Sequence, residues 1–140
     1  MSLSDDMPAR VPTKPFRTEG FRRIWRAVLY SLEGLGAALK HEAAFRQECL
    51  AALVLIPAAL LLDFTAVEKV LLIGVVFLVL IIELMNSAVE CCVDYISTDL
   101  HPSAKRAKDI SSAAVLLSLT FAFVTWGIII VANWPLFRGG

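Results

Sequence analysis

Histidine is nearly absent from this chain: His41 and His101 are the only two in 140 residues. Cysteine occurs three times, as Cys49, Cys91 and Cys92, with no Cys-x-x-Cys pair and no Cys/His cluster. That excludes a structural zinc site and a disulfide framework, and it leaves the thiols as buried apolar groups in helices. So few histidines leave no Ser-His-Asp arrangement to follow. A G-x-x-x-x-G-K-[ST] phosphate loop is missing, as are the motifs of protein kinases. Net charge is missing too, since 13 basic residues balance 13 acidic ones. Nothing in the bulk charge therefore points to nucleic acid.

What the chain has in quantity is apolar side chains, 58% of residues, with a mean hydropathy of +0.72. A soluble domain of this size needs far less. The length predicts one domain. Residues 1–18 are polar and rich in Pro, Arg and Lys. They lack the apolar core of a secretory signal and are expected to form a disordered cytoplasmic tail. Residues 19–140 are then a single membrane domain.

Ile24, Val28, Leu32, Leu35 and Leu39 keep helical spacing beside Trp25 and Leu29, with Arg22, Arg23 and Arg26 at the start. The pattern predicts an amphipathic surface helix over about 21–40, lying in the membrane interface. Gly34 and Gly36 are candidate breaks in it. Glu42 and Arg46, four apart, are placed to pair on one helix face. Apolar runs then predict spans over about 43–62, 67–93 and 110–132. Pro57 in the first is tolerable in a membrane helix. Residues 63–69 read as a polar turn, and 94–109 as a polar loop or helix extension. Trp126 and Trp134 sit toward the end of the third span, as interfacial anchors do. The expected fold is an all-α membrane protein, a surface helix plus three transmembrane helices in an oligomeric bundle. Three short helices give one copy little core of its own.

Basic residues crowd the segment before the first span (Arg10, Lys14, Arg17, Arg22, Arg23, Arg26, Lys40, Arg46) and the loop after the second (Lys105, Arg106, Lys108). The other flanks hold Lys69 and Arg138. The positive-inside bias places the N-terminus and the second loop in the cytoplasm.

The second span carries the unusual feature. Residues 70–82 contain no charge, and then Glu83, Asn86, Glu90 and Asp94 follow at steps of three, four and four. At about 100° per residue they share one face, within roughly 80°. Ionisable groups at membrane depth are costly and usually face a bundle interior or a wet cavity. Asp94 also reads as a residue where the helix leaves the membrane, and Asn86 as an interhelical hydrogen bonder. Two chemistries fit. One is a small proton- or cation-coupled transport protein. The other is an enzyme whose acids hold Mg²⁺ while one acid removes a proton from a lipid alcohol, because Mg²⁺ takes one or two carboxylates plus substrate phosphates.

Three segments carry a resemblance: E-A-A-F-R-Q-E at 42–48, E-L-M-N-S-A-V-E-C-C-V-D at 83–94, and R-A-K-D-I-S-S-A-A-V at 106–115. In order and spacing the chain resembles the small bacterial integral-membrane diacylglycerol kinase family, from about residue 21 to 134. The resemblance implies a homotrimer that transfers the γ-phosphate of MgATP to diacylglycerol, giving phosphatidic acid at the bacterial inner membrane. It implies Glu83 as general base, with Glu42 and Glu90 as the carboxylates for Mg²⁺. It implies Arg23, Tyr30, Asp99, His101, Lys108 and Asp109 at ATP, together with Glu42 and Glu90. Asp99 stands where the best-known members carry Glu, a change that keeps an acid. It further implies Phe45, Arg46, Gln47, Glu48 and Ser112 at the lipid, with Arg23 touching both substrates and Asn86 in support. Relatives of the same fold phosphorylate undecaprenol, and the shared motifs do not separate the two acceptors.

Overall fold

A computed structural model describes residues 20–96 and 101–134. The expected tail lies outside the described residues, as does Asp99. Four helices follow in order: α1 (Gly20–His41), α2 (Ala43–Leu61), α3 (Ala66–Ile96) and α4 (Pro102–Ala132). No strand occurs among the described residues. The chain divides into two compact units, residues 1–33 and 34–140.

In the first unit, the described part of α1 is amphipathic. Phe21, Ile24, Trp25, Val28, Leu29 and Leu32 make its apolar face, and all are exposed. Such a face on an Arg-rich helix suits the membrane interface. Gly34 and Gly36, the candidate breaks, leave α1 uninterrupted to His41. Helix geometry tolerates an isolated glycine at a cost of about 1 kcal/mol.

The second unit is built around α3, which packs against both α2 and α4. Glu42 separates α1 from α2 with an extended backbone, φ −102° and ψ 113°. α2 contains Pro57, which donates no hydrogen bond to the carbonyl four residues earlier. The chain turns at residues 62–65, where Phe64 N–H donates to the Leu62 carbonyl at 2.9 Å and the Phe64 side chain is buried.

A capping box starts α3. Thr65 Oγ1 accepts from Glu68 N–H at 3.3 Å, and Glu68 Oε2 accepts from Thr65 N–H at 2.8 Å. Glu68 reaches further: its Oε1 accepts from Asn133 Nδ2 at 2.9 Å, just after α4. Lys69 Nζ donates to the Leu60 carbonyl at 3.0 Å, at the end of α2. Three helix ends are thus tied together beside a small core of Ala59, Phe64, Leu72 and Ile129. At the opposite end of α3, Lys108 Nζ donates to Asp94 Oδ1 at 2.6 Å. Contacts at both ends make α3 and α4 antiparallel.

All three of α2, α3 and α4 are long and apolar enough to cross a membrane. The chain is a membrane protein. The sequence boundaries need two adjustments. α3 runs past residue 93 to Ile96, and α4 begins at Pro102 rather than 110. The polar stretch 94–109 is therefore mostly helix extension. His101 caps α4: its Nδ1 accepts from Ser103 N–H at 3.2 Å, and Pro102 follows at the first helical position.

Candidate active site

The site grows from the buried stripe of α3. Leu72, Val75, Val76 and Val79 recur at helical spacing and pack inward. Glu83 is the next residue on that stripe and is only 4% exposed. A carboxylate has thus been placed where the pattern calls for an aliphatic side chain. Burial then falls along the ladder: Asn86 and Glu90 are half-buried, and Asp94 is exposed. Asn86 Nδ2 donates to Glu90 Oε1 at 3.2 Å. The carboxylates of Glu42 and Glu90 both lie within electrostatic range of Glu83, as does that of Glu48. Four acids from the α1–α2 junction, α2 and α3 therefore converge.

At the start of α2 the structure corrects one expectation. Arg46 does not pair with Glu42. Its guanidinium donates to the carbonyls of Leu39 and Lys40, at 3.3 and 3.2 Å. Those carbonyls end α1 and have no partner further along that helix, so a cation there is well placed. Phe45 is buried, while Arg46 and Gln47 are exposed. Glu48 is half-buried, and its Oε2 is shut from solvent without a hydrogen-bond partner.

The start of α4 supplies cations. Lys108 bonds Asp94, and the Glu90 carboxylate is in electrostatic range of the same ammonium. Asp109 points to a different partner, pairing with Lys105 one turn earlier. Lys108 and Asp109 are neighbours in sequence but are engaged separately. Ser112 is exposed one turn beyond Lys108, and Ser111 Oγ donates to the Lys108 carbonyl at 3.0 Å. His101 is exposed at the N-cap. Asp94 lies two residues before the end of α3, and its carboxylate is bonded to Lys108. In the other unit, Arg23 and Tyr30 are exposed on the polar side of α1.

The sequence reading missed a groove. A cavity of about 520 Å³ lies between α2, α3 and α4. Ala51, Ala52 and Leu55 line it from α2, Val76, Val79 and Leu80 from α3, and Leu119, Ala122 and Trp126 from α4. Its walls are almost wholly apolar, and Glu48 is its one carboxylate. Val79 sits one turn before Glu83 on the same stripe, so the groove leads up to the acids. Trp126, expected as an interfacial anchor, instead lines this groove, with a buried Nε1 that has no hydrogen-bond partner. The small residues Ala51, Ala52, Ala122 and Gly127 were the available signal. They leave room between helices, but small residues also serve close helix packing. Cys91 and Cys92 are exposed in the single chain rather than buried.

The acids fit a magnesium ion in one respect and limit it in another. Among the described residues no group of three His, Cys, Asp or Glu side chains is arranged to hold a metal. Mg²⁺ does not need three; it takes one or two carboxylates and completes its shell with water and substrate phosphates. Glu42 and Glu90, two half-buried carboxylates that both feel Glu83, are hard oxygen donors suited to that arrangement.

Comparison with known proteins gives this geometry a lineage. A profile of the family described as Prokaryotic diacylglycerol kinase matches residues 29–130. The diacylglycerol kinase of Pseudomonas aeruginosa is 49% identical over 118 residues, covering 84% of this chain and 96% of the relative. That of Escherichia coli (strain K12) is 49% identical over 113 residues, 81% of this chain and 93% of the relative. That of Haemophilus influenzae is 44% identical over 112 residues, 80% of this chain and 95% of the relative. The profile takes in the whole Glu83–Asp94 ladder, the Glu42 junction and Lys108, and on this match the chain belongs to the prokaryotic diacylglycerol kinase family.

Proposed function

We propose that this protein is an ATP-dependent diacylglycerol kinase that makes phosphatidic acid. One observation carries the reading: Glu83 is buried one turn beyond Val79, which lines an apolar groove, and further carboxylates lie in electrostatic range of it. A lipid needs the groove and a phosphate donor needs the acids. Only the junction between the two brings a lipid hydroxyl to a nucleotide.

In this mechanism the acyl chains occupy the groove and the glycerol end rises past Glu48, whose unpartnered oxygen would accept from a hydroxyl. Phe45, Arg46, Gln47 and Ser112 complete the lipid side. Glu83 takes the proton of the free hydroxyl. The hydroxyl oxygen then forms a bond to the γ-phosphorus, the bridging bond to the β-phosphate breaks, and ADP leaves. The proton passes from Glu83 to water before the next turnover. Glu42 and Glu90 would hold the Mg²⁺ that accompanies ATP, and that ion supplies charge neutralisation at the phosphates. Lys108 adds a cation at the phosphates, while His101 and Asp109 contact the nucleotide.

The same reading makes the protein a homotrimer of the bacterial inner membrane, with its N-terminus in the cytoplasm. Supporting this, basic residues crowd the segment before the first span and the α4 start. The single chain also leaves large apolar side chains exposed on every span, such as Leu53, Leu61, Phe77 and Phe123. Lipid or neighbouring copies must cover them.

The test is transfer of label from γ-labelled MgATP to lipid by purified protein in mixed micelles, with diacylglycerol and undecaprenol offered separately. Label in phosphatidic acid is the expected result. Label only in the polyprenol would keep the mechanism and change the acceptor. Label in neither, with folded oligomer and Mg²⁺ present, would overturn the kinase reading.

A further inference from the structure

The cations of the α2–α4 unit are mostly engaged away from the acid ladder. Arg46 is bound to the carbonyls that end α1, Lys69 to the far end of α2, and Lys105 to Asp109. Lys108 is different. Its ammonium lies in reach of two acids of the ladder at once, bonded to Asp94 at 2.6 Å and in electrostatic range of Glu90. Those two acids sit one turn apart on the same face of α3. An ammonium placed between them can neutralise either one.

That choice matters chemically. A lysine bound to Glu90 would cancel the charge that attracts a divalent cation. A lysine bound to Asp94 leaves Glu90 to Asn86, whose amide donates at 3.2 Å without removing the negative charge. The pair also spans the connection between α3 and α4, joining residues 14 apart in sequence. It therefore fixes where the first turns of α4 present Lys108.

We propose that Asp94 is a positioning residue, which holds the Lys108 ammonium ready for the nucleotide phosphates and off the Glu90 carboxylate. The proposal rests on the reading of Lys108 and Glu90 as nucleotide and metal residues given above. Asp94 touches no substrate in this scheme; it acts through Lys108. Its side chain is 65% exposed and that of Lys108 36% exposed. The effect is accordingly modest, about three- to fivefold, as for a solvent-accessible pair.

The experiment uses the full-length protein in mixed micelles with four variants: Asp94→Asn, Asp94→Glu, Lys108→Met and the double Asp94→Asn/Lys108→Met. Three quantities are measured: KM for MgATP with kcat, the Mg²⁺ concentration giving half-maximal rate, and binding of a non-hydrolysable ATP analogue with Mg²⁺ in the absence of lipid. Asp94→Asn should raise the KM, the half-maximal Mg²⁺ and the analogue Kd about three- to fivefold, with kcat within twofold and an unchanged melting temperature. Asp94→Glu should restore most of each. In the Lys108→Met background, Asp94→Asn should add nothing, because there is no ammonium left to misplace.

Equal effects of Asp94→Asn with and without Lys108 would overturn the proposal, as would loss of kcat together with melting temperature. If Lys108→Met raises the KM while Asp94→Asn does not, Lys108 keeps its role and Asp94 loses its own. If Lys108→Met leaves ATP and Mg²⁺ dependence unchanged, the underlying reading of Lys108 fails, and the positioning role of Asp94 fails with it.

Discussion

The Asn86 carboxamide donates to Glu90 Oε1 at 3.2 Å, one helical turn away along α3. This bond orients a carboxylate without neutralising it, which suits a group meant to hold a cation. Glu90→Ala should therefore raise the Mg²⁺ needed for half-maximal rate by tenfold or more. Asn86→Ala should act in the same direction but less, about fivefold, since a hydrogen bond of this kind contributes on the order of 1 kcal/mol. Initial rates against Mg²⁺ at saturating ATP and lipid check both. Unchanged Mg²⁺ dependence in a folded Glu90→Ala protein would remove Glu90 from the metal.

Glu83 gives a prediction of a different kind. Glu83→Gln keeps the size and the hydrogen-bonding capacity of the side chain but can no longer accept the hydroxyl proton. General-base catalysis is worth about 10²–10⁴ in rate. kcat should fall by that much while binding of a non-hydrolysable ATP analogue stays within a few-fold. The substitution also removes a poorly solvated buried carboxylate, 4% exposed, so the melting temperature should not fall. Near-normal turnover in Glu83→Gln would mean that another group takes the proton.

Much of this was legible in the sequence for physical reasons. A charge-free run ending in Glu83, Asn86, Glu90 and Asp94 can only be a helix with one polar face, and α3 is that helix. The three spans and the surface helix follow from apolar runs and 3.6-residue periodicity, and each appears within a few residues of its expected place, save the start of α4. That start was not legible because hydropathy marks where lipid begins, whereas helix caps mark where hydrogen bonding begins. His101 and Pro102 cap α4 about two turns before its apolar part. The Arg46 contact was hidden for a related reason. Spacing identifies Glu42 as a neighbour on a continuous helix, but Glu42 is extended and lies outside α2. The groove could not be read at all. Ala52, Val79 and Trp126 look alike in sequence whether they face lipid, another helix or a cavity, and only the packing of α2 and α4 on α3 decides.

The far end of the molecule offers a test of fold without function. Glu68 caps its own helix through Thr65 and also accepts from Asn133, 65 residues later. Glu68→Ala removes both and should lower the melting temperature. Asn133→Ala removes only the link to α4 and should lower it about half as much. Neither residue is near the acid ladder, so kcat and both KM values should stay within twofold at temperatures where the variants are folded. Thermal unfolding in detergent, alongside kinetics at low temperature, separates the two effects. A loss of turnover without loss of stability would connect this end to catalysis.

The groove makes the sharpest claim about the lipid. Gly127 lines it, and a Cβ added there would meet no atom within 4 Å. Gly127→Leu should therefore fill groove space without straining the helix, and replacing a helical glycine favours the helix by up to about 1 kcal/mol. If acyl chains occupy the groove, the variant should raise the KM for diacylglycerol several-fold, measured as mole fraction in micelles. KM for MgATP should be unchanged, and the melting temperature equal or higher. Short-chain diacylglycerols should suffer less than long-chain ones, because a leucine at Gly127 blocks the part of the groove remote from Glu48. Equal KM values for all chain lengths in wild type and Gly127→Leu would place the acyl chains elsewhere and leave the groove to pack against another copy of the chain.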